Sequence, residues 1–190
     1  MHNAYPTLLL DRDGVINGDR SDYVLNLDQL VVLPGVATAI GRLKRAGVRV
    51  VVITNQGCIA KGLLDEAGLQ AIHQRIREVI ALEGGAIDAI YHCPHHNADG
   101  CSCRKPKPGM ILQAQKDWGF DPKHTWMVGD TQRDMEAARA AGCNAALVLT
   151  GHGDASLAQQ LNVPCFQNLA HFVDAFLQTD HPLFAPCWHP

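Results

Sequence analysis

The sequence predicts an α/β protein: a doubly wound, mostly parallel β-sheet covered by helices. Three observations carry that prediction. Short apolar or β-branched runs alternate with helical patterns along the chain. The run at residues 48–53 is almost continuously apolar, as a central strand buried on both faces should be. The polar signatures Asp11/Asp13, Thr54-Asn55-Gln56 and Gly129-Asp130 each follow an apolar run. Open parallel sheets bind ligands beyond the carboxyl ends of their strands.

The elements follow in order. Residues 7–10 form the first strand. Pro34-Gly35 opens a helix that runs to about residue 46, with Ile40 and Leu43 on its inner face, and Gly47 ends it. The central strand at 48–53 leads to a long helix at 65–82 and a third strand at 86–91. A Cys/His-rich loop, at about 92–108, closes at Pro108-Gly109. A helix at 110–118, a strand at 125–128, a helix at 135–141 and a strand at 145–149 complete the alternation. The tail adds a helix near 156–161, a short strand near Cys165 and a helix near 169–177. The stretch 181–190 holds three Pro and is expected to be irregular.

The chain of 190 residues is long enough for one substantial core, so a single domain over 1–190 is expected. A net charge of -3 gives no electrostatic footprint for nucleic acid or an anionic membrane. No apolar run approaches the ~20 residues of a membrane span, and no signal-like segment opens the chain. Seven Cys cannot all pair within one chain, so a reducing, cytoplasmic location is expected, with some Cys holding metal.

The chemistry concentrates in Asp11-Arg12-Asp13-Gly14. Residues i and i+2 of an extended chain point the same way, so both carboxylates can reach one cation or one phosphorus atom. With Asp130 they could hold Mg²⁺, which takes few protein oxygens and keeps several waters. A carboxylate beside Mg²⁺ and a phosphate ester is a plausible nucleophile, and a second carboxyl can protonate the leaving alkoxide. Thr54 offers a hydroxyl to the phosphoryl oxygens. A fixed positive charge comes from Arg104-Lys105-Pro106-Lys107, with Lys105 and Lys107 as rivals. Cys93, Cys101, Cys103 and a histidine of His95-His96 match a closed, structural Cys₃His zinc site. The scattered Cys58, Cys143, Cys165 and Cys187 read as apolar or surface residues, and His73 and His124 as surface or packing residues.

The ordered set Asp11-Arg12-Asp13-Gly14-Val15, Thr54-Asn55-Gln56, Lys105-Pro106, and Gly129-Asp130 with Asp134 resembles the four motifs of the haloacid dehalogenase superfamily of phosphatases, over about residues 7–150. The resemblance implies Asp11 as nucleophile and Asp13 as general acid and base. It places Thr54 and Lys105 on the phosphoryl oxygens, and Asp11, Asp130 and the Asp13 backbone carbonyl on Mg²⁺. Asp134 becomes an outer organiser, and His95 the fourth ligand of a Zn²⁺ that stiffens the loop bearing Arg104 and Lys105. The segments after Asp13 and Thr54 are too short for a large cap domain. Substrate must then be gripped by loops: Asp19, Arg20, Ser21, Asp22, Asn55, Gln56, Gly57 and Arg104. The short zinc loop before Arg104-Lys105-Pro106, and the run T-N-Q-G-C-I-A-K-G at 54–62, are similar to the heptose 1,7-bisphosphate phosphatases, with the histidinol-phosphate phosphatases as relatives. The implied substrate is a small phosphorylated sugar of the lipopolysaccharide pathway, hydrolysed at its C7 phosphate by a monomeric enzyme. Arg104, with Lys61 as a weaker candidate, would hold its second phosphate. A phospho-accepting receiver module shares Asp, Mg²⁺, Thr and Lys, but Asp13, placed to activate water, favours a hydrolase.

Overall fold

The computed structural model describes residues 6–178; the stretch 181–190 and Cys187 lie outside the described residues. The elements are β1 (Thr7–Leu10), α1 (Val36–Arg45), β2 (Arg49–Asn55), α2 (Glu66–Ala81), β3 (Ala89–Cys93), α3 (Gly109–Trp118), β4 (Trp126–Gly129), α4 (Gln132–Ala140), β5 (Asn144–Val148), α5 (Ala155–Leu161), β6 (Cys165–Phe166) and α6 (Leu169–Phe176). Short 3-10 turns at Leu27–Gln29, Asn97–Asp99 and Pro122–His124 had no signal in the sequence.

All described strand pairs are parallel, in the order β3-β2-β1-β4-β5-β6. Alternate residues of the strands feed two cores. Leu8, Leu10, Val50, Val52, Val128 and Val148 face α1, α2 and α6. Leu9, Val51, Ile53, Met127 and Leu147 face α3, α4 and α5. This two-sided burial explains why the strands read as continuous apolar runs. The strand order reverses between β1 and β4, so their carboxyl ends flank the crevice where such sheets bind ligands. Asp11 follows β1 and Asp130 follows β4. No large cap interrupts the described chain, and among the described residues no helix is long and apolar enough to cross a membrane.

Three boundaries differ from expectation. β2 extends to Asn55, so Thr54 and Asn55 stand on the strand itself. β3 covers Ala89–Cys93 rather than 86–91. Asp88 causes the shift: its N–H donates to the Val50 carbonyl and its carboxylate accepts from the Val50 N–H, both at 2.8 Å, and the ladder starts only beyond it. α4 begins at Gln132 rather than 135, because Thr131 and Asp134 form a capping box.

His73 on α2 is a packing residue, 1% exposed, edge-on to His92 and with Nε2 3.5 Å from Arg12 Nη1. Burial first, then the Arg12 charge, pushes it down to about 3 from an ordinary 6.5. The unfolded chain therefore binds a proton that the folded chain refuses. This contribution is fully present above pH 6.5 and is lost as pH falls towards about 3. Urea unfolding across that window should show a slope in wild type of up to about 1.4 kcal/mol per pH unit more than in His73→Gln. Equal slopes would contradict it.

Candidate active site

Two segments converge on Asp130. Gly14 and Gly151 take left-handed backbone, with φ of 81° and 106°. A Cβ on either would lie 2.2 or 2.3 Å from Asp130 Oδ2, so only glycine permits this approach. The His152 N–H donates to the same oxygen at 2.8 Å. Burial raises Asp130 to about 6.

Asp11, Asp130 and Asp134 each bring a carboxylate oxygen within 4.8 Å of the others, a group able to hold a metal ion. Lys105 Nζ joins them, ion-paired with Asp11 Oδ1 at 2.8 Å and Asp134 Oδ1 at 2.6 Å and donating to the Ile53 carbonyl at 2.7 Å. In the free protein the ammonium therefore sits between two carboxylates and a backbone carbonyl. Burial, then the neighbouring Asp134 and Asp130 charges, lift Asp11 well above its ordinary range despite Lys105. Fully ionised, three carboxylates and one ammonium carry two net negative charges in a buried site, which a divalent cation would neutralise.

Asp13 lines the same cavity as Asp11 but has different partners. The strand ends at Leu10, so the expected i, i+2 alternation stops before it, and its carboxylate lies outside the three-carboxylate group. Arg12 Nη2 grips both of its oxygens, at 2.7 and 2.9 Å; Asn17 Nδ2 donates at 2.9 Å and Gln56 Nε2 at 2.8 Å. Burial alone would raise Asp13, but Arg12, Asn17 and Gln56 together hold it below its usual range.

Cys93, His95, Cys101 and Cys103 cluster at the end of β3 and in the loop beyond it. Five of their donor-to-donor distances lie between 3.2 and 3.6 Å. The thiols are free. Burial and the adjacent thiols push Cys103 up to about 12, so the group cannot ionise fully without a cation. The loop braces the neighbouring cations. Arg104 Nε donates to Asn97 Oδ1 at 2.5 Å and Nη1 to the His95 carbonyl at 3.1 Å. Lys107 is not free in solvent: Nζ caps the Gly100 and Cys101 carbonyls at 2.8 and 2.7 Å.

A cavity of about 230 Å³ opens above the carboxylates. Of the expected residues, Asp11, Asp13, Asp19, Arg20, Ser21, Thr54, Asn55, Arg104, Lys105 and Asp130 line it. Asp22, Gln56 and Gly57 do not. Asp22 pairs outward with Arg20 at 2.9 Å, and Gln56 is buried beneath, bridging Asp13 and Thr54. Asn55 lines the cavity, yet its amide is spent on the Lys105 backbone, donating to the carbonyl at 3.1 Å and accepting from the N–H at 3.0 Å. Lys61 does not line the cavity; its ammonium stands over the Tyr23 ring, 5.0 Å from the centroid. The sequence reading missed Tyr23, Thr131, Arg133 and His152 on the walls. It also missed Arg12, buried between the two aspartates. Only Thr131 carried a signal, the T-x-x-D spacing to Asp134.

Comparison with known proteins gives the family. Residues 1–142 match the model of the haloacid dehalogenase-like hydrolases. The chain is 47% identical over 173 residues to the D-glycero-beta-D-manno-heptose-1,7-bisphosphate 7-phosphatase of Pseudomonas aeruginosa, covering 90% of this chain and 97% of that one. It is 46% identical over 152 residues to the enzyme of the same name from Bordetella bronchiseptica, covering 80% and 85%. Among solved structures, the D,D-heptose 1,7-bisphosphate phosphatase of B. bronchiseptica, complexed with magnesium and phosphate, superposes with a TM-score of 0.87 at 42% identity, covering 90% of this chain and 98% of that one. On the family model and these relatives, the chain belongs to the haloacid dehalogenase-like hydrolases and is a phosphatase.

Proposed function

We propose that the chain removes the C7 phosphate of D-glycero-β-D-manno-heptose 1,7-bisphosphate, with Asp11 as nucleophile. The observation that carries this reading is the buried Asp11–Lys105–Asp134 array at the carboxyl edge of β1 and β4, in a chain 47% identical to a phosphatase named for that ester. The relatives are named for the β anomer, and the reading takes that anomer.

Asp11 Oδ1 is held by Lys105 and by the Arg12 N–H at 2.7 Å, which commits Oδ2 to the phosphorus. Attack by Oδ2 forms the aspartyl-phosphate bond while the bond from phosphorus to the sugar oxygen breaks. Asp13 gives its proton to the leaving alkoxide, then takes one from the water that splits the aspartyl phosphate, releasing phosphate and restoring Asp11. Arg12, Asn17 and Gln56 keep Asp13 ionised in the free enzyme; the charge of an arriving phosphate raises its proton affinity. Thr54 and Lys105 orient the phosphoryl oxygens. Asp11, Asp130 and the Asp13 carbonyl would hold Mg²⁺, which when bound offsets the repulsion between carboxylate and phosphate. The reading takes 1–190 as one catalytic domain, acting as a cytoplasmic monomer.

Cys93, His95, Cys101 and Cys103 suit Zn²⁺: a tetrahedral ion with bonds of about 2.3 Å to sulfur sets sulfurs about 3.8 Å apart, close to the 3.2–3.6 Å found. Its role is to fix the loop that aims Arg104 and Lys105. Metal analysis should find one zinc per chain after dialysis that strips Mg²⁺, and Cys101→Ser should lower thermal stability. No zinc in freshly purified, reduced protein would remove this assignment.

A panel of both heptose bisphosphate anomers and histidinol phosphate tests the substrate. The highest kcat/KM is expected for the β bisphosphate. A preference for histidinol phosphate would replace the substrate and leave the chemistry.

A further inference from the structure

The active-site cavity does not end at the carboxylates. A second hollow of about 250 Å³ lies beside the zinc loop, and Arg104, Lys105 and Arg133 border both. The other cations of this region are committed. Lys105 is held at the reacting centre by Asp11, Asp134 and the Ile53 carbonyl, on the transferred phosphate in the reading above, and Lys107 caps two loop carbonyls. Arg20 is tied to Asp22 and to the Tyr23 carbonyl, and Arg104 spends Nε and Nη1 on the zinc loop. Arg133, in the first turn of α4, has no hydrogen-bond or ion-pair partner among the described residues. Its backbone is nonetheless fixed, because the next residue, Asp134, is clamped by Lys105 and Thr131.

We propose that Arg133 is a specificity-determining residue that completes a subsite with Arg104 for the second phosphate of a bisphosphate substrate. The inference rests on the bisphosphate reading above and names a residue that reading did not include. A planar guanidinium suits a phosphate because two parallel N–H donors match two of its oxygens. Arg104 enters from the zinc loop and Arg133 from α4, so a phosphate between them is gripped from both walls, away from the reacting centre. Such a grip acts on substrate capture more than on the chemical step.

The test compares kcat/KM for the heptose 1,7-bisphosphate with that for the 7-monophosphate of the same sugar, in wild type, Arg133→Ala and Arg133→Lys. In Arg133→Ala the preference for the bisphosphate should fall about ten- to a hundredfold, chiefly through KM. Arg133→Lys should restore part of it, since charge survives and the bidentate fork does not. The exposed position makes misfolding an unsuitable explanation, and an unchanged melting temperature would verify this. A wild-type preference left intact in Arg133→Ala would overturn the inference alone. A wild-type enzyme with no preference for the bisphosphate would overturn the substrate reading as well.

Discussion

Asp11→Asn is expected to fold and to turn over at less than about a hundredth of the wild-type rate, since loss of covalent catalysis costs several kcal/mol of transition-state stabilisation. The amide is a poor nucleophile and a poor ligand for a hard cation. The same substitution should stabilise the metal-free protein. Asp11 is buried beside Asp134 and Asp130, and its carboxyl is lifted well above the ordinary range, so its ionised form is costly at neutral pH. An amide removes that charge, and Lys105 keeps Asp134 as a partner. Thermal melts in chelator should show the variant above wild type, while product assays show it inactive. Activity above about a hundredth would remove Asp11 as nucleophile.

Lys105→Met should be the most damaging exchange for stability. Lys105 is 3% exposed and pairs with two buried carboxylates. Removing one partner of a buried ion pair costs about 3–5 kcal/mol, because the remaining charge is left uncompensated. The sign of the pH dependence follows. Without the ammonium, the folded-state pKa of Asp11 rises further above the unfolded value. Stability from such groups is present below the unfolded carboxylate range and is lost as pH rises through the folded value. The deficit of Lys105→Met against wild type should therefore be small near pH 4 and grow towards pH 7, in urea unfolding with chelator. A deficit that does not change with pH would show that lost packing, rather than charge, sets the cost.

The sequence alone carried the alternation of elements, because strands buried on both faces must be apolar throughout and helices must be amphipathic. It also carried the residues whose chemistry is local: Asp11, Asp130, Lys105 and the Cys/His loop. What it could not carry was the direction of a side chain fixed by a distant partner. The Asp13 carboxylate stays out of the three-carboxylate group because Arg12, Asn17 and Gln56 capture it. Asn55 and Gln56 stand next to Thr54 and read as substrate contacts; their amides are instead bound to Lys105 and Asp13. His152 and Gly151 reach Asp130 from beyond β5, a contact with no periodicity or spacing to announce it. β3 moved because Asp88 imitates a ladder partner for Val50, a role no propensity encodes.

The account turns on a covalent phosphoryl group at one residue. Rapid acid quenching of a single turnover, with the bisphosphate labelled in its C7 phosphate, followed by peptide mapping, measures it directly. The label should appear on the peptide holding Asp11, rise before free phosphate, and be absent from Asp11→Asn. Free phosphate formed at the full rate with no label on the protein, or label on a different residue, would contradict the account.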